Sequence, residues 1–295
     1  MDRTKICGCL IFFALLAACS RPQKTIIVGS KNFTEQVLLG EIISQRLENH
    51  LPGVRIERRL NLGGTLLAHQ ALIAKEIDLY PEYTGTAFTN VLKLTDPTTD
   101  AAVVLERVRN EYSTKMRLEW LDPLGFNNTF AMAVRGADAR ARHLATLSDA
   151  AADPKGFVLG AGYEFLQRPD GYGMLNQAYA IDWTSAPKSM DLGLVYTALT
   201  QNKVSMVAGS ATDGMLSALD ITVLKDDKQA FPPYQACIVV RADALAAYPV
   251  LRDVLGQLSG KFSTDSMQKL NFEIDGKHRQ VRDVAREFLE SSGLQ

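Results

Sequence analysis

Short apolar runs alternate with amphipathic stretches along most of the chain. Thr25–Gly29 (TIIVG) is an unbroken apolar run of strand length, and Thr34–Asn49 brings Val37, Leu38, Ile42 and Leu47 towards one helical face. Val54, Ile56, Arg58 and Leu60 alternate with charged neighbours, the pattern of a half-exposed strand. Gly63-Gly64-Thr65 then turns the chain into a helix over Leu66–Lys75, and Ile77–Tyr80 is the next short strand. Asp96-Pro97-Thr98-Thr99 is a turn before a charged helix, Ala101–Lys115.

A second series begins near Thr129. Phe130, Met132 and Val134 alternate as a strand; Phe157–Gly160, Val204–Ala208 and Ile221–Leu224 are further strands, with a helix over Leu192–Thr200. Phe231-Pro232-Pro233-Tyr234 interrupts this pattern before the strand Ala236–Val240, and the chain beyond Ala242 reads as helical to Gln280–Glu290. Strand–helix–strand order of this kind predicts α/β architecture built on mainly parallel sheets. Two lobes are the economical account: 26–128 with 233–295 as the first and 129–232 as the second, with crossings near residues 128 and 233.

The N-terminal segment has another purpose. Arg3 and Lys5 precede thirteen mostly apolar residues, Ile6 to Ala18. That run is shorter than the ~20 residues a bilayer-spanning helix needs, but it suits a secretory signal. Leu16-Ala17-Ala18-Cys19 resembles a bacterial lipobox, so residues 1–18 are expected to be removed and Cys19 acylated, with 19–25 as a tether. Several acyl chains anchor firmly where one would be marginal. An exported, membrane-anchored protein of the cell envelope is the expectation.

Composition narrows the function. The 295 residues carry 32 Lys+Arg and 33 Asp+Glu, a net charge of −1, which argues against a nucleic-acid partner. Of the four Cys, only Cys237 stays free after processing and acylation, in the apolar run Ala236–Val240; it reads as an inert buried thiol rather than a nucleophile. His50, His69, His143 and His278 are dispersed, without metal-ligand spacing, and read as surface residues. No nucleophile motif, P-loop or dinucleotide fingerprint is present, so no catalytic residue, cofactor or metal is expected. Gly63-Gly64-Thr65 could present backbone N–H groups to an anion, or be a plain turn. Tyr80-Pro81-Glu82-Tyr83-Thr84-Gly85-Thr86 and Lys31 each follow a strand, where open α/β sheets bind ligands.

Gly29-Ser30-Lys31-Asn32-Phe33-Thr34-Glu35-Gln36, Leu62–Thr65, Asp78–Thr86, Pro123–Thr129, Lys188–Asp191, Thr212-Asp213-Gly214, Leu224–Lys228 and Phe231–Tyr234 occur in an order that resembles the substrate-binding proteins of osmoprotectant ABC transporters. Those are receptors for glycine betaine, choline and related quaternary amines. The resemblance implies a type II-like periplasmic-binding-protein fold and a monomer that closes over its solute, with a small quaternary-ammonium or zwitterionic solute, the permease's transmembrane subunits and, through the lipid anchor, the membrane as its partners. It maps an aromatic cage onto Tyr83, Phe130 and Tyr234, and a carboxylate grip onto Lys31, Thr86 and Arg168. Phe130 stands where the family has tyrosine, and Ser210 lies where a further aromatic is usual, so the cage lacks one wall. Each ring could instead belong to the core, Lys31 and Arg168 could pair with a nearby acid, and Asn127, Asn128 and Asp213 could simply satisfy turns. A sensory or scaffolding lipoprotein and an extracytoplasmic enzyme on the same fold are the alternatives.

Overall fold

The computed structural model describes residues 24–96 and 98–295, so the signal segment, Cys19 and Pro97 lie outside the described residues. Ten strands are present: β1 (Thr25–Gly29), β2 (Arg55–Arg59), β3 (Leu79–Tyr83), β4 (Leu118–Trp120), β5 (Phe130–Arg135), β6 (Leu159–Ala161), β7 (Lys188–Ser189), β8 (Met206–Ser210), β9 (Ile221–Val223) and β10 (Ala236–Arg241). They form two five-stranded sheets, in the orders β2-β1-β3-β10-β4 and β7-β6-β8-β5-β9. The helices flank them, giving two α/β layers along one chain.

Each sheet is mixed rather than mainly parallel. In the first, β1 runs parallel to β2 and β3, while β10 is antiparallel to β3 and β4. In the second, β6 runs parallel to β7 and β8, while β5 is antiparallel to β8 and β9. The reversal follows from connectivity. β5 enters the second sheet directly from the first crossover and β10 returns from the second, so neither is preceded by the helix that makes a parallel crossover. The two crossing segments pair with each other: Asn127 bridges Gln235, and the Asn128 N–H donates to the Tyr234 carbonyl at 3.0 Å.

Residue character explains individual elements. β10 (ACIVVR) is buried from Ala236 to Val240, as a strand covered on both faces must be. β2 (RIERR) is an edge strand carrying charges that discourage further pairing. The helix Ala101–Met116 buries Val104, Val108 and Tyr112 on one stripe; Asp100 accepts from the Ala102 and Val103 N–H groups at its start. Tyr80-Pro81-Glu82-Tyr83 is not a loop beyond a strand: it is β3 itself, paired along its length with β10. Pro81 is tolerated because β1 registers with β3 only at Val28↔Leu79, so its missing N–H falls past that neighbour.

The helical C-terminal region returns to both sheets. Arg46, 1% exposed on the helix Thr34–His50, donates to the carbonyls of Val254 (2.8 Å) and Leu294 and to Gln257 Oε1 (2.6 Å), tying that helix to the chain's end. The helix Thr264–Asp275 reaches the second sheet's connections through Gln268 to the Ala211 carbonyl (2.7 Å) and Asn271 to the Thr212 carbonyl (2.9 Å). Cys237 is buried and its thiol is pushed up to about 12, so it is chemically quiet. His69 is not on the surface. It lies buried edge-on to the Tyr112 ring at 5.5 Å, and burial depresses its pKa.

Candidate functional site

A cleft of about 880 Å³ lies between the sheets, and Lys31, Tyr83, Thr86, Phe130, Arg168 and Tyr234 all line it. The ends of β1, β3, β5 and β8, together with the crossover before β10, supply its walls. Residues spread over two hundred positions therefore converge on one hollow.

Two buried ion pairs hold the basic groups. Lys31 follows β1, is 1% exposed, and places Nζ 2.5 Å from Glu82 Oε1 and 4.8 Å from the Tyr83 ring centroid. Glu82 also accepts from the Tyr80 hydroxyl (3.0 Å) and the Tyr83 N–H (2.7 Å). Arg168 approaches from the second sheet's side. Its Nε and Nη2 donate to Asp170 at 2.8 and 2.5 Å, Nη2 also reaches Thr86 Oγ1 at 3.0 Å, and Cζ lies 5.3 Å from the Phe130 centroid. Burial alone would push the Asp170 carboxyl up, but Arg168 and the Tyr234 hydroxyl hold it below the usual range. Both expected basic residues thus line the cleft and also have an acid of their own.

The rings occupy different settings. Tyr83 and Tyr234 are 4% and 2% exposed, and burial keeps both phenols protonated, so they donate: Tyr83 to Glu35 Oε1 at 2.5 Å, Tyr234 to Asp170 Oδ2 at 2.7 Å. Phe130 is half-buried, with centroids of Phe165, Phe231 and Tyr234 at 4.9, 5.4 and 5.6 Å. It is part core and part cleft wall. Gly85 allows Tyr234 to reach its place, since a Cβ there would stand 2.7 Å from that ring and from the Pro233 carbonyl oxygen.

Polar contacts run from one sheet's elements to the other's. Glu164 accepts from the Thr65 N–H at 2.7 Å, at the start of the helix Thr65–Ile73. The Gly63-Gly64-Thr65 turn therefore does receive an anion, and the anion is a carboxylate of the protein itself. Arg168 to Thr86 and Tyr234 to Asp170 likewise join elements of the two sheets across the cleft.

Sequence reasoning missed several lining groups. Phe33 stacks near Tyr83, with centroids 6.3 Å apart. Glu35 is 2% exposed; its position with Leu38, Leu39 and Ile42 puts an acid on the helix's apolar stripe, a signal visible in the sequence. It accepts from Tyr83, Asn128 Nδ2 (2.8 Å) and Asn271 Nδ2 (3.3 Å), and burial raises its pKa despite those donors. Asn127 does satisfy the crossover, accepting the Tyr234 N–H at 2.5 Å. Asp213 does more than satisfy a turn: it lines the cleft, accepts from the Tyr196 hydroxyl (2.7 Å) and the Ser210 N–H (2.8 Å), and is pushed up to about 6 by burial.

Asp213 carries a testable cost. A carboxyl whose folded pKa exceeds its ordinary 3.8 opposes folding once both states are ionised. The penalty is complete above pH 6 or so and vanishes as pH falls below the unfolded value of ~3.9. Asp213→Asn should therefore raise Tm at pH 7.5, and scanning calorimetry should show the gain shrinking towards pH 4. A gain independent of pH would assign the stabilisation to something other than this charge.

Comparison with known proteins gives a consistent result. The family model for the substrate-binding domain of ABC-type glycine betaine transport systems matches residues 24–291. An ergothioneine transport permease/ergothioneine binding protein of Helicobacter pylori is 38% identical over 92% of this chain, which spans about half (48%) of that longer protein. A carnitine transport binding protein of Listeria monocytogenes is 33% identical, with 94% of this chain and 92% of that protein aligned. A crystal structure of a glycine betaine/carnitine/choline ABC transporter superposes with a TM-score of 0.77 at 33% identity, covering 91% of this chain and 99% of that one.

Proposed function

Because the chain belongs to the family of substrate-binding domains of ABC-type glycine betaine transport systems, we propose that it captures a quaternary-ammonium zwitterion in the cleft and hands it to a permease. Its homologues are solute-binding proteins of transporters rather than enzymes. Substrate-binding proteins of ABC importers are extracytoplasmic. Lipid on Cys19 would hold this one, as a monomer, at the membrane beside its permease. Residues 26–128 with 233–295, and 129–232, would be the two lobes that close on the solute.

The observation that carries this reading is the convergence of Tyr83, Phe130 and Tyr234 with Lys31, Thr86 and Arg168 on a single cleft. A trimethylammonium group has no N–H to donate, so ring faces and carboxylates are what can hold it. Glu35 and Asp213 add negative potential to those rings, and no cation pairs with either among the described residues. The solute's carboxylate would meet Arg168 and Lys31, which line the same cleft. The solute stabilises the closed form by its differential affinity for that form over the open one.

Calorimetry with glycine betaine, choline, carnitine and ergothioneine tests the proposal. Ser210 leaves the cage one wall short, so glycine betaine should bind more weakly than a bulkier betaine. Tyr83→Leu keeps an apolar side chain but removes the ring and the hydroxyl that donates to Glu35, and loss of the ring face should weaken binding by ~0.5–2 kcal/mol. Failure of every methylated amine to bind the wild type would overturn the proposal; undiminished affinity in Tyr83→Leu would remove that ring from the site.

A further inference from the structure

The cleft has an acceptor-rich pole that a compact betaine leaves unused. Asp213 spends Oδ2 on two donors, the Tyr196 hydroxyl and the Ser210 N–H, whereas Oδ1 receives no hydrogen bond among the described residues. Glu35 lines the same cleft, and the Asp213 charge adds a small upward push to its carboxyl. Around them are acceptors without donors. Asn271, 2% exposed, lines the cleft, and its Oδ1 has no partner among the described residues, whereas the neighbouring Thr212 hydroxyl turns to Glu35. Asn128 Oδ1 is a second. The orientations of the two amides are set by Glu35, which takes an N–H from each.

No basic group among the described residues pairs with Glu35 or Asp213. Lys31 and Arg168 are committed to Glu82 and Asp170. Buried acceptors without donors are costly, so a ligand group that donates hydrogen bonds gains more here than one that only fills space. The pole also stands where the cage is open: Ser210 pairs across the sheet with Phe130, and its own N–H is one of the two donors holding Asp213.

We propose that Asp213 is a specificity-determining residue, whose free Oδ1 accepts a hydrogen bond from an N–H-bearing ring or amine on the body of the solute. The proposal rests on the zwitterion reading and refines it: the preferred solute is a betaine with a second, nitrogenous donor group, and glycine betaine is a poorer fit. The size of the cleft agrees, since about 880 Å³ is in the range that accommodates drug-sized ligands and exceeds what a compact betaine fills. A site with a placed acceptor discriminates against analogues lacking the donor, because the acceptor is then left desolvated and unpaired.

The test compares two probes by titration calorimetry at pH 7.5: glycine betaine, which has no N–H, and ergothioneine, a betaine whose ring carries N–H donors. Wild type should favour ergothioneine by at least roughly tenfold, and Asp213→Asn should collapse that ratio to within about threefold. Tyr196→Phe, which keeps the ring but releases one anchor of the carboxylate, should move the ratio the same way by a smaller factor. It tests the same role without altering the carboxylate itself. An unchanged ratio in both variants, or a wild type that binds both probes alike, would overturn the role of Asp213 while leaving the zwitterion reading intact. Binding of neither probe to the wild type would overturn the zwitterion reading itself, and this refinement with it.

Discussion

Glu82→Ala should cost about 3–5 kcal/mol of stability in urea unfolding, because it leaves the Lys31 ammonium buried without its counter-charge. The pair is as enclosed as any in the structure, with side chains 2% and 0% exposed. The Tyr80 hydroxyl and the Tyr83 N–H lose their acceptor in the same step. Adding Lys31→Met should recover much of the loss, since removing both charges avoids the uncompensated one. The double variant should nevertheless bind its solute poorly, because no ammonium remains beside Tyr83. If Glu82→Ala unfolds like wild type, the Lys31 side chain must reach solvent, and its proposed place in the grip is wrong.

Arg168→Met should weaken solute binding by ~2–5 kcal/mol, the range found when one member of a buried, hydrogen-bonded charge pair is truncated in a binding site. Arg168 joins Asp170, Thr86 and the Phe130 face, so its loss removes a contact across the cleft as well as the cation proposed to meet the solute. The two contributions can be separated. Asp170→Asn on top of Arg168→Met relieves the stranded carboxylate and should restore Tm, while affinity stays low. Recovery of affinity along with Tm would mean that Arg168 supports the fold and does not meet the solute.

How far the sequence revealed this arrangement depends on what each signal encodes. The strands β1, β5, β8 and β10 were legible because their runs are apolar on the faces that the structure buries. That Lys31, Tyr83 and Thr86 would line a cleft was legible from their expected place after strand ends, whereas Phe130, Arg168 and Tyr234 came from motif resemblance, since no periodicity could bring Lys31 near Arg168. Strand direction was not legible: β10 and β5 are antiparallel because of where the chain crosses between sheets, which is a property of connectivity rather than of composition. The extent of β3 was misjudged because Pro81 suggests a break, and only the short overlap with β1 makes it acceptable. The segment 136–180 holds four short helices, Gly136–Arg142, Leu147–Ala152, Tyr163–Gln167 and Tyr172–Tyr179, too brief to show a helical period. Asp170 and Glu164 lie in that segment, so their pairing with Arg168 and Thr65 emerged only from the coordinates.

The helix Thr65–Ile73 begins at Gly64, which has no side chain with which to finish it, and the finishing carboxylate comes from across the cleft. Pulled apart, each half would have to fall back on water: an amide on one side, an acid on the other. Such a bond at a helix start contributes ~0.3–1 kcal/mol. If the two halves open and shut as proposed, this bond would favour the shut posture before any cargo arrives.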